Sequence, residues 1–475
     1  MSLMNALQQR KQQELNLHLE SGRNPDRSSE AFVAAHLSES PTGQIRLMES
    51  ILERENMNRA YKQVKSNKGA AGVDGMTVGQ LRGYLDHHWT KIEASLLAGS
   101  YEPMPARRKE IEKPDGGVRL LGIPTVLDRL IQQAIAQVLE KVWDHTFSET
   151  SYGFRPKRSQ REAIAQCRQY VKDGLRTCVD IDLSKFFDRV NHDRLMSRLA
   201  LKVQDKRVLK LIRKYLECGV IVDGLEEATQ EGTPQGGPLS PLLSNIVLDE
   251  LDKELEKRAL KFVRYADDCV VYVGSKRAGE RVKESITKFI TKRLRLKVNE
   301  AKSAVGLPWH SKYLGFSLTR TRAQPRIKLH WKTLDRLKDR IRDLTRRKRG
   351  RSLKTIIAEL TEYLRGWWGY FNVMETPYQL ETLAGWIRRR LRSYVWKQWF
   401  RGPPTRPGAQ RTGTVPSHPR RQSHEARDLR RNRSQNRLRT KRSLAYEPSQ
   451  MGHDRFARCI LIRTRAGNPM GLNLP

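Results

Sequence analysis

The sequence predicts an α+β chain on three observations. Short runs of β-branched and aromatic residues are separated by turn residues, other stretches follow the 3.6-residue apolar period of helices, and the two kinds alternate along the chain. Residues 1–46 are polar, broken by Gly22-Arg23-Asn24-Pro25-Asp26, and read as a loosely attached extension. Regular pattern starts at Leu47. "NKGAAGVDGMT" (67–77) is a Gly-rich loop between helical stretches, and it lacks the Gly-Lys-Ser/Thr ending of an NTPase phosphate loop.

"RRKEIEKPDGGVRLLGIP" (107–124) reads as a β-hairpin, with Pro114-Asp115-Gly116-Gly117 as its turn. Arg107, Arg108, Lys113 and Arg119 project from it, either as a solvated face or as a basic finger over an anionic substrate. Asp128 then caps a helix with the apolar stripe Leu130, Ile131, Ala134, Ile135, Val138 and Leu139. "RTCVDIDLSKFFDRVNHDRL" (176–195) gives a strand over Thr177 to Ile181 that sets Asp180 and Asp182 on one face, and a helix from near Asn191. "EGTPQGGPLSPLLSNIVLDELDKEL" (231–255) is a Gly/Pro loop feeding a helix. "FVRYADDCVVYVG" (262–274) is two strands around a turn holding Asp267 and Asp268. A lone Asp-Asp pair is ordinarily a solvated turn. It becomes a Mg²⁺ site if a third carboxylate converges on it, and spacing alone does not say whether Asp180, Asp182 or Asp188 is that group.

Composition narrows the partner. Ninety Lys and Arg against 52 Asp and Glu give a formal net charge of +38, for which a phosphate backbone is the simplest counterpart. No apolar run approaches the roughly 18 residues of a spanning helix, so no membrane partner is expected. No secretory signal is legible, which points to a cytoplasmic protein. The five cysteines form no C-x-x-C pair, so neither zinc nor a disulfide framework is expected.

Eight stretches, in order, resemble the sequence blocks of reverse transcriptases encoded by bacterial group II introns: "NKGAAGVDGMT", "RLLGIPTVLDRLIQQAI", "SYGFRPKRS", "DLSKFFDRVNHD", "GTPQGGPLSPLLSN", "FVRYADD", "LKVNEAKS" and "KYLGF". "LTEYLRGWWGYF" (360–371) and "GWIRRRLRSYVWKQW" (385–399) resemble that family's maturase region. The resemblance implies a right-hand polymerase, with fingers and palm over 47–320 and a helical thumb/maturase domain over 321–400.

It also implies an RNA-directed DNA polymerase that copies intron RNA into cDNA and assists splicing of its own intron. The partners would be intron RNA, a DNA target and primer, and dNTPs. Asp182, Asp267 and Asp268 are then the catalytic carboxylates, holding two Mg²⁺ ions that stabilise the attacking and leaving oxygens. By the same resemblance, Phe187 lies beneath the incoming sugar and excludes a 2′-hydroxyl. Arg107, Lys113 and, more weakly, Arg119 bind the triphosphate, Gln235 sits near nucleotide and template, and Tyr313, Leu314, Gly315 and Phe316 form the primer grip. Lys302 falls in a block near the active site with its role open. Arg388, Arg389, Arg390 and Arg392 line the polar side of an amphipathic helix and are candidates for RNA contact. Two other readings are a splicing factor without polymerase activity and a host-recruited, defence-type reverse transcriptase.

The resemblance ends at Trp399-Phe400. Residues 401–475 hold seventeen Lys and Arg against four acids with almost no helical apolar pattern, and are expected to be disordered. They read as a basic tail or as the product of a shifted reading frame, the second being somewhat favoured. No Cys/His-rich endonuclease pattern appears within them, so a primer made by other means is expected.

Overall fold

The computed structural model describes residues 46–113, 117–222, 225–227, 231–233, 236–321 and 324–400. The extension before residue 46, the hairpin tip at 114–116, Gln235 and the tail beyond 400 lie outside the described residues, as do the side chains of Lys113 and of 398–400. In chain order the elements are helices α1 (Leu47–Leu52), α2 (Arg54–Asn67) and α3 (Leu81–Leu97), strands β1 (Ala106–Lys113) and β2 (Gly117–Ile123), then α4 (Val126–Trp143), α5 (Gln160–Lys172), β3 (Thr177–Ile181), α6 (His192–Ala200), α7 (Lys206–Glu217), β4 (Val220–Val222) and β5 (Leu225–Glu227). There follow α8 (Ser240–Lys257), β6 (Lys261–Tyr265), β7 (Asp268–Val273), α9 (Lys276–Phe289), β8 (Ala304–Gly306), β9 (Phe316–Leu318), β10 (Ile327–Leu329), α10 (Trp331–Leu344), α11 (Leu353–Phe371) and α12 (Pro377–Phe400). The mixed class expected from the sequence is what forms.

The chain divides into two compact units, one built from residues up to 157, 183–258 and 287–298, the other from 158–182, 259–286 and 299 onward. In the first, α4 buries most of the expected stripe: Leu130, Ile131, Ala134, Ile135 and Leu139 are each at most 1% exposed, and Val138 is half-buried. Each of the Leu and Ile side chains contributes about 1.5–3 kcal/mol on burial. The helix is capped by Thr125 rather than by Asp128. The Thr125 hydroxyl accepts from the Asp128 amide at 3.0 Å, and the Asp128 carboxylate turns inward to accept from Thr125 Oγ1, Tyr101 and Tyr215 at 2.7, 2.9 and 3.2 Å. Burial pushes this carboxyl up while those donors pull it down. An N3 acid and an N-cap residue look alike in sequence; the hydroxyl won because it sits where the chain is still extended.

The first unit's sheet has the order β2-β1-β4-β5. Its β1–β2 ladder pairs Arg107 with Ile123 and Ile111 with Arg119. By period-two alternation, Arg107 and Arg119 share one face and Arg108 takes the other.

The second unit is built on the sheet β6-β7-β3-β8. Its centre is close-packed, with Val179, Val271 and Val263 fully buried and Phe262 2% exposed. On the face of Val179, α9 approaches through Gly279, beside Val305, Thr177 and Val179. On the face of Tyr272, α5 brings Tyr170, with ring centroids 5.6 Å apart. Helices α10, α11 and α12 follow the small β9–β10 ladder; α11 buries Leu360, Leu364 and Trp368, and Trp367 and Phe371 are half-buried.

Candidate active site

Register builds the acidic end of the second sheet. The β3–β7 ladder ends with Ile181 opposite Cys269, so one step further Asp182 comes level with Asp268. The β6–β7 ladder ends with Tyr265 opposite Asp268. Only Ala266 and Asp267 are left to close the hairpin, so Asp267 stands in the turn itself. Alternation then puts Asp180, Asp182 and Asp268 on one face and Ile181, Cys269 and Arg264 on the other.

Each position is braced. The Asp182 amide donates to Ser303 Oγ at 3.0 Å, and its carbonyl accepts from the Asn299 amide at 2.8 Å. This gives the "LKVNEAKS" block a structural task. Asp180 accepts from Ser311 Oγ at 2.5 Å, while its other oxygen is buried without a hydrogen bond among the described residues. Ala266 adopts φ 57°, a left-handed conformation that costs a non-glycine residue about 1–3 kcal/mol. Sequence reasoning passed over Asn299, Ser303 and Ser311. Asn299 and Ser303 are polar residues inside the "LKVNEAKS" block, and Ser311 directly precedes "KYLGF"; that is their only signal.

The electrostatics are those of crowded carboxylates. Asp268 is pushed up to about 6, by desolvation and then by repulsion from Asp267, Asp182 and Asp180, against a smaller pull from Lys312. Asp268 keeps solvent-exposed surface, which weakens the desolvation part, so repulsion from three acids is the firmer cause. Asp180 is pushed up to about 6 by burial, with the Ser311 bond opposing. The spacing left open which acid joins the turn. Asp182 and Asp180 both do, and Asp188 lies exposed in the other unit.

A divalent cation suits this donor set, since hard oxygens hold it and its charge relieves the repulsion that raises Asp268. Among the described residues, no group of three His, Cys, Asp or Glu side chains forms a ready-made cage for one ion. Mg²⁺ requires less than that, usually one or two carboxylates completed by water and substrate phosphate.

The "YLGF" segment is a tight turn. Tyr313 and Phe316 exchange backbone bonds of 3.0 and 2.8 Å, and Leu314 and Gly315 take φ 49° and 87°, the two positive values of a type I′ turn. A Cβ on Gly315 would meet the Phe371 ring at 2.9 Å, so only glycine fits. The side chains of Tyr313 and Phe316 are buried; Leu314 and Gly315 are the part that reaches the surface. Tyr313 donates to the Val263 carbonyl at 3.3 Å, tying the turn to β6.

In the first unit, Phe186 is core, 3% exposed, and Phe187 is half-buried edge-on against it at 5.3 Å. The Thr233 amide donates to the Phe187 carbonyl at 2.6 Å. A Cβ on Gly232 would stand 2.8 Å from that oxygen, which is why the Gly-rich loop can lie there. Arg107 is exposed and donates to the Ala71 carbonyl at 2.7 Å. Arg119 is exposed as well.

A second charged region lies between the end of α10 and α12. Arg342, Arg346, Arg347, Lys348, Arg390 and Lys397 line an open groove of about 900 Å³, with Asp343 as its one acid. Arg342 and Arg390 stand over the Trp386 ring, each 5.6 Å from its centre. Burial, with repulsion from Arg342 and Arg347, pulls the Arg390 guanidinium down. Arg390 is thus part of the groove, whereas Arg388, Arg389 and Arg392 are exposed on α12 outside its lining.

Residues 111–318 match the family model described as reverse transcriptase (RNA-dependent DNA polymerase), and 334–413 match the group II intron maturase-specific domain. The second match runs past Phe400, where the sequence reading saw the resemblance end. The two matches define a reverse transcriptase joined to a maturase domain, a class whose members use divalent metal ions.

Protein YkfC of Escherichia coli (strain K12) is 34% identical over 300 residues, covering 55% of this chain and 79% of that protein. The group II intron-encoded protein LtrA of Lactococcus lactis subsp. cremoris is 31% identical over 325 residues, covering 55% of this chain and about half, 54%, of LtrA. A chain of the partial Cas6-RT-Cas1–Cas2 complex aligns at 23% identity and TM-score 0.33, over 52% of this chain and 42% of that one. The chain belongs to the group II intron reverse transcriptase/maturase family. No helix among the described residues is long and apolar enough to cross a membrane.

Proposed function

We propose that this protein copies its parent intron RNA into DNA and helps that RNA to splice, with residues 47–320 as fingers and palm and 321–400 as the thumb/maturase domain. The observation that carries the polymerase reading is the acidic end of the sheet, where Asp182, Asp267 and Asp268 are set by register and turn. Two Mg²⁺ ions bound there would supply charge stabilisation to the attacking and leaving oxygens of an in-line phosphoryl displacement. Asp182 and Asp267 would hold both ions, with Asp268 completing the set. The primer 3′-oxygen forms a bond to the α-phosphorus of a dNTP as the bond to the diphosphate leaving group breaks.

Arg107, Lys113 and, more weakly, Arg119 bind the triphosphate through charge-assisted hydrogen bonds; the shared face of Arg107 and Arg119 on the hairpin supports grouping those two. Phe187 rejects a 2′-hydroxyl by volume, and Gln235 contacts the nucleotide and template. The Leu314–Gly315 turn carries the primer-grip role. Arg388, Arg389, Arg390 and Arg392 contact intron RNA, together with the groove arginines.

Primer extension on an RNA template with dNTPs and Mg²⁺ tests the polymerase. Product is expected from the wild type and none from Asp267→Ala; a folded wild type that gives none would leave a splicing factor without polymerase activity.

A further inference from the structure

We propose that Arg264 is the positioning residue of the catalytic turn, holding from the far side of the sheet the left-handed backbone that presents Asp267. This rests on the reading of Asp267 as a metal-binding carboxylate. Arg264 is 0% exposed and is among the largest fully buried side chains of the protein. It pairs across the ladder with Cys269, on the face opposite Asp182 and Asp268, so it does not share the face on which the carboxylates gather. Its Nη1 donates to the Ala266 carbonyl at 2.9 Å. That carbonyl belongs to the peptide joining Ala266 to Asp267, and fixing this peptide plane fixes the direction in which Asp267 leaves the turn.

The residue types make sense only together. A two-residue hairpin loop that needs positive φ at its first position normally takes Gly, Asn or Asp there. Here the residue is alanine, 6% exposed and at φ 57°, which by itself has no preference for that conformation. A buried arginine is costly where an aliphatic residue would pack, and its neighbours on that face, Phe262 and Val271, are apolar and buried. The charge-assisted bond to the carbonyl accounts for both departures. Lysine is a poorer fit, because its strongly hydrated point charge ends one atom short of the arginine Nη1 that makes the bond.

Three variants test this: Arg264→Met, Ala266→Val with Arg264 intact, and the double variant Arg264→Met/Ala266→Gly. In the full-length protein, Arg264→Met should lower kcat of primer extension about 10- to 100-fold, as misplacement of a reacting group by about 1 Å does, with KM for dNTP changed by less than about threefold. Mn²⁺ binding by the protein without nucleic acid, followed by the loss of free-ion electron paramagnetic resonance signal, should weaken several-fold in the same variant. Glycine at 266 should restore a large part of both losses, because it adopts positive φ without help.

Ala266→Val should reproduce the defect, since a β-branched residue resists that φ. It is the decisive variant if Arg264→Met does not fold. Wild-type kcat and Mn²⁺ binding in Arg264→Met, or in Ala266→Val if Arg264→Met does not fold, overturn the proposal. So does a loss in Arg264→Met that glycine at 266 leaves unrepaired. If the wild type extends no primer, the polymerase reading fails on its own, and the Mn²⁺ measurement still decides the role of Arg264.

Discussion

The acidic end of the sheet and the basic groove beside α12 are both clusters of like charge, built from different materials. The acids sit on short side chains attached to hydrogen-bonded strands, and register fixes their places to within a fraction of a residue step. The groove's cations end long, flexible side chains on two helices and the turn after α10, each carrying roughly 2 kcal/mol of rotamer entropy, two of them steadied over Trp386. A fixed cluster suits chemistry, where groups must be held within about 0.5 Å of productive geometry. An adaptable one suits a phosphate backbone that presents the same charge at every step. The difference teaches that rigidity, not charge, separates the proposed catalytic surface from the proposed binding surface. Deleting a fixed charge should therefore be the most damaging change. Asp182→Ala and Asp267→Ala are each expected to lower single-turnover extension by roughly 10³-fold or more, the equivalent of several kcal/mol of lost charge stabilisation, while RNA affinity stays within about twofold. A tenfold loss or less would mean that the cluster tolerates gaps as the groove does.

The groove should fail gradually instead. Arg346→Ala, Arg347→Ala and Arg390→Ala combined are expected to weaken binding of single-stranded RNA by about 10- to 100-fold at moderate salt. The slope of log K against log salt should flatten by about 0.7 for each lost phosphate contact. Filter binding across a salt series measures both. The triple variant Arg388→Ala/Arg389→Ala/Arg392→Ala, altered on α12 outside the groove, makes the comparison sharper. An equal loss from that set would show that total charge on the helix, rather than the groove, binds RNA.

How much of each cluster was legible in the sequence follows from the same contrast. Asp267 and Asp268 announce themselves because two adjacent carboxylates between β-branched runs are a local anomaly, and the strand carrying Asp180 and Asp182 reads correctly to the residue. What was not legible is what lies across the sheet or beside the turn: Ser303 and Asn299 on Asp182, Ser311 on Asp180, Arg264 under Ala266. A serine or arginine gives no local sign that its partner is over a hundred residues away, as Ser303 is from Asp182, or on the far face. The groove was half legible. Arginine-rich α12 was read as one polar face, but helical geometry turns only Arg390 toward Arg342 and Arg347, and the other half comes from a turn after α10 with no apolar pattern. The cap at Thr125 was misread because an Asp three residues into a helix is itself a good capping residue.

The smallest expected effect concerns the acids when no cation is bound. Asp268 has a folded-state value of about 6, raised from the ordinary 3.8. Between those values the folded protein holds a proton that the unfolded chain releases, so this group's contribution to stability is full below about pH 4 and is lost as pH rises through 6. Asp268→Asn is neutral throughout and should escape that loss. In metal-free protein the thermal midpoint of the variant, relative to wild type, should be flat below pH 4, rise between 4 and 6, and level off above. Because solvent at the exposed residue screens the repulsion, the gain should reach only a degree or two. Mg²⁺ added at pH 7.5 should raise the wild type more than the variant, because the ion relieves repulsion that the variant no longer has. Scanning calorimetry with and without chelator reads both quantities. A midpoint difference that does not vary with pH would mean that Asp268 stands clear of its neighbours, leaving Asp182 and Asp267 as the crowded pair.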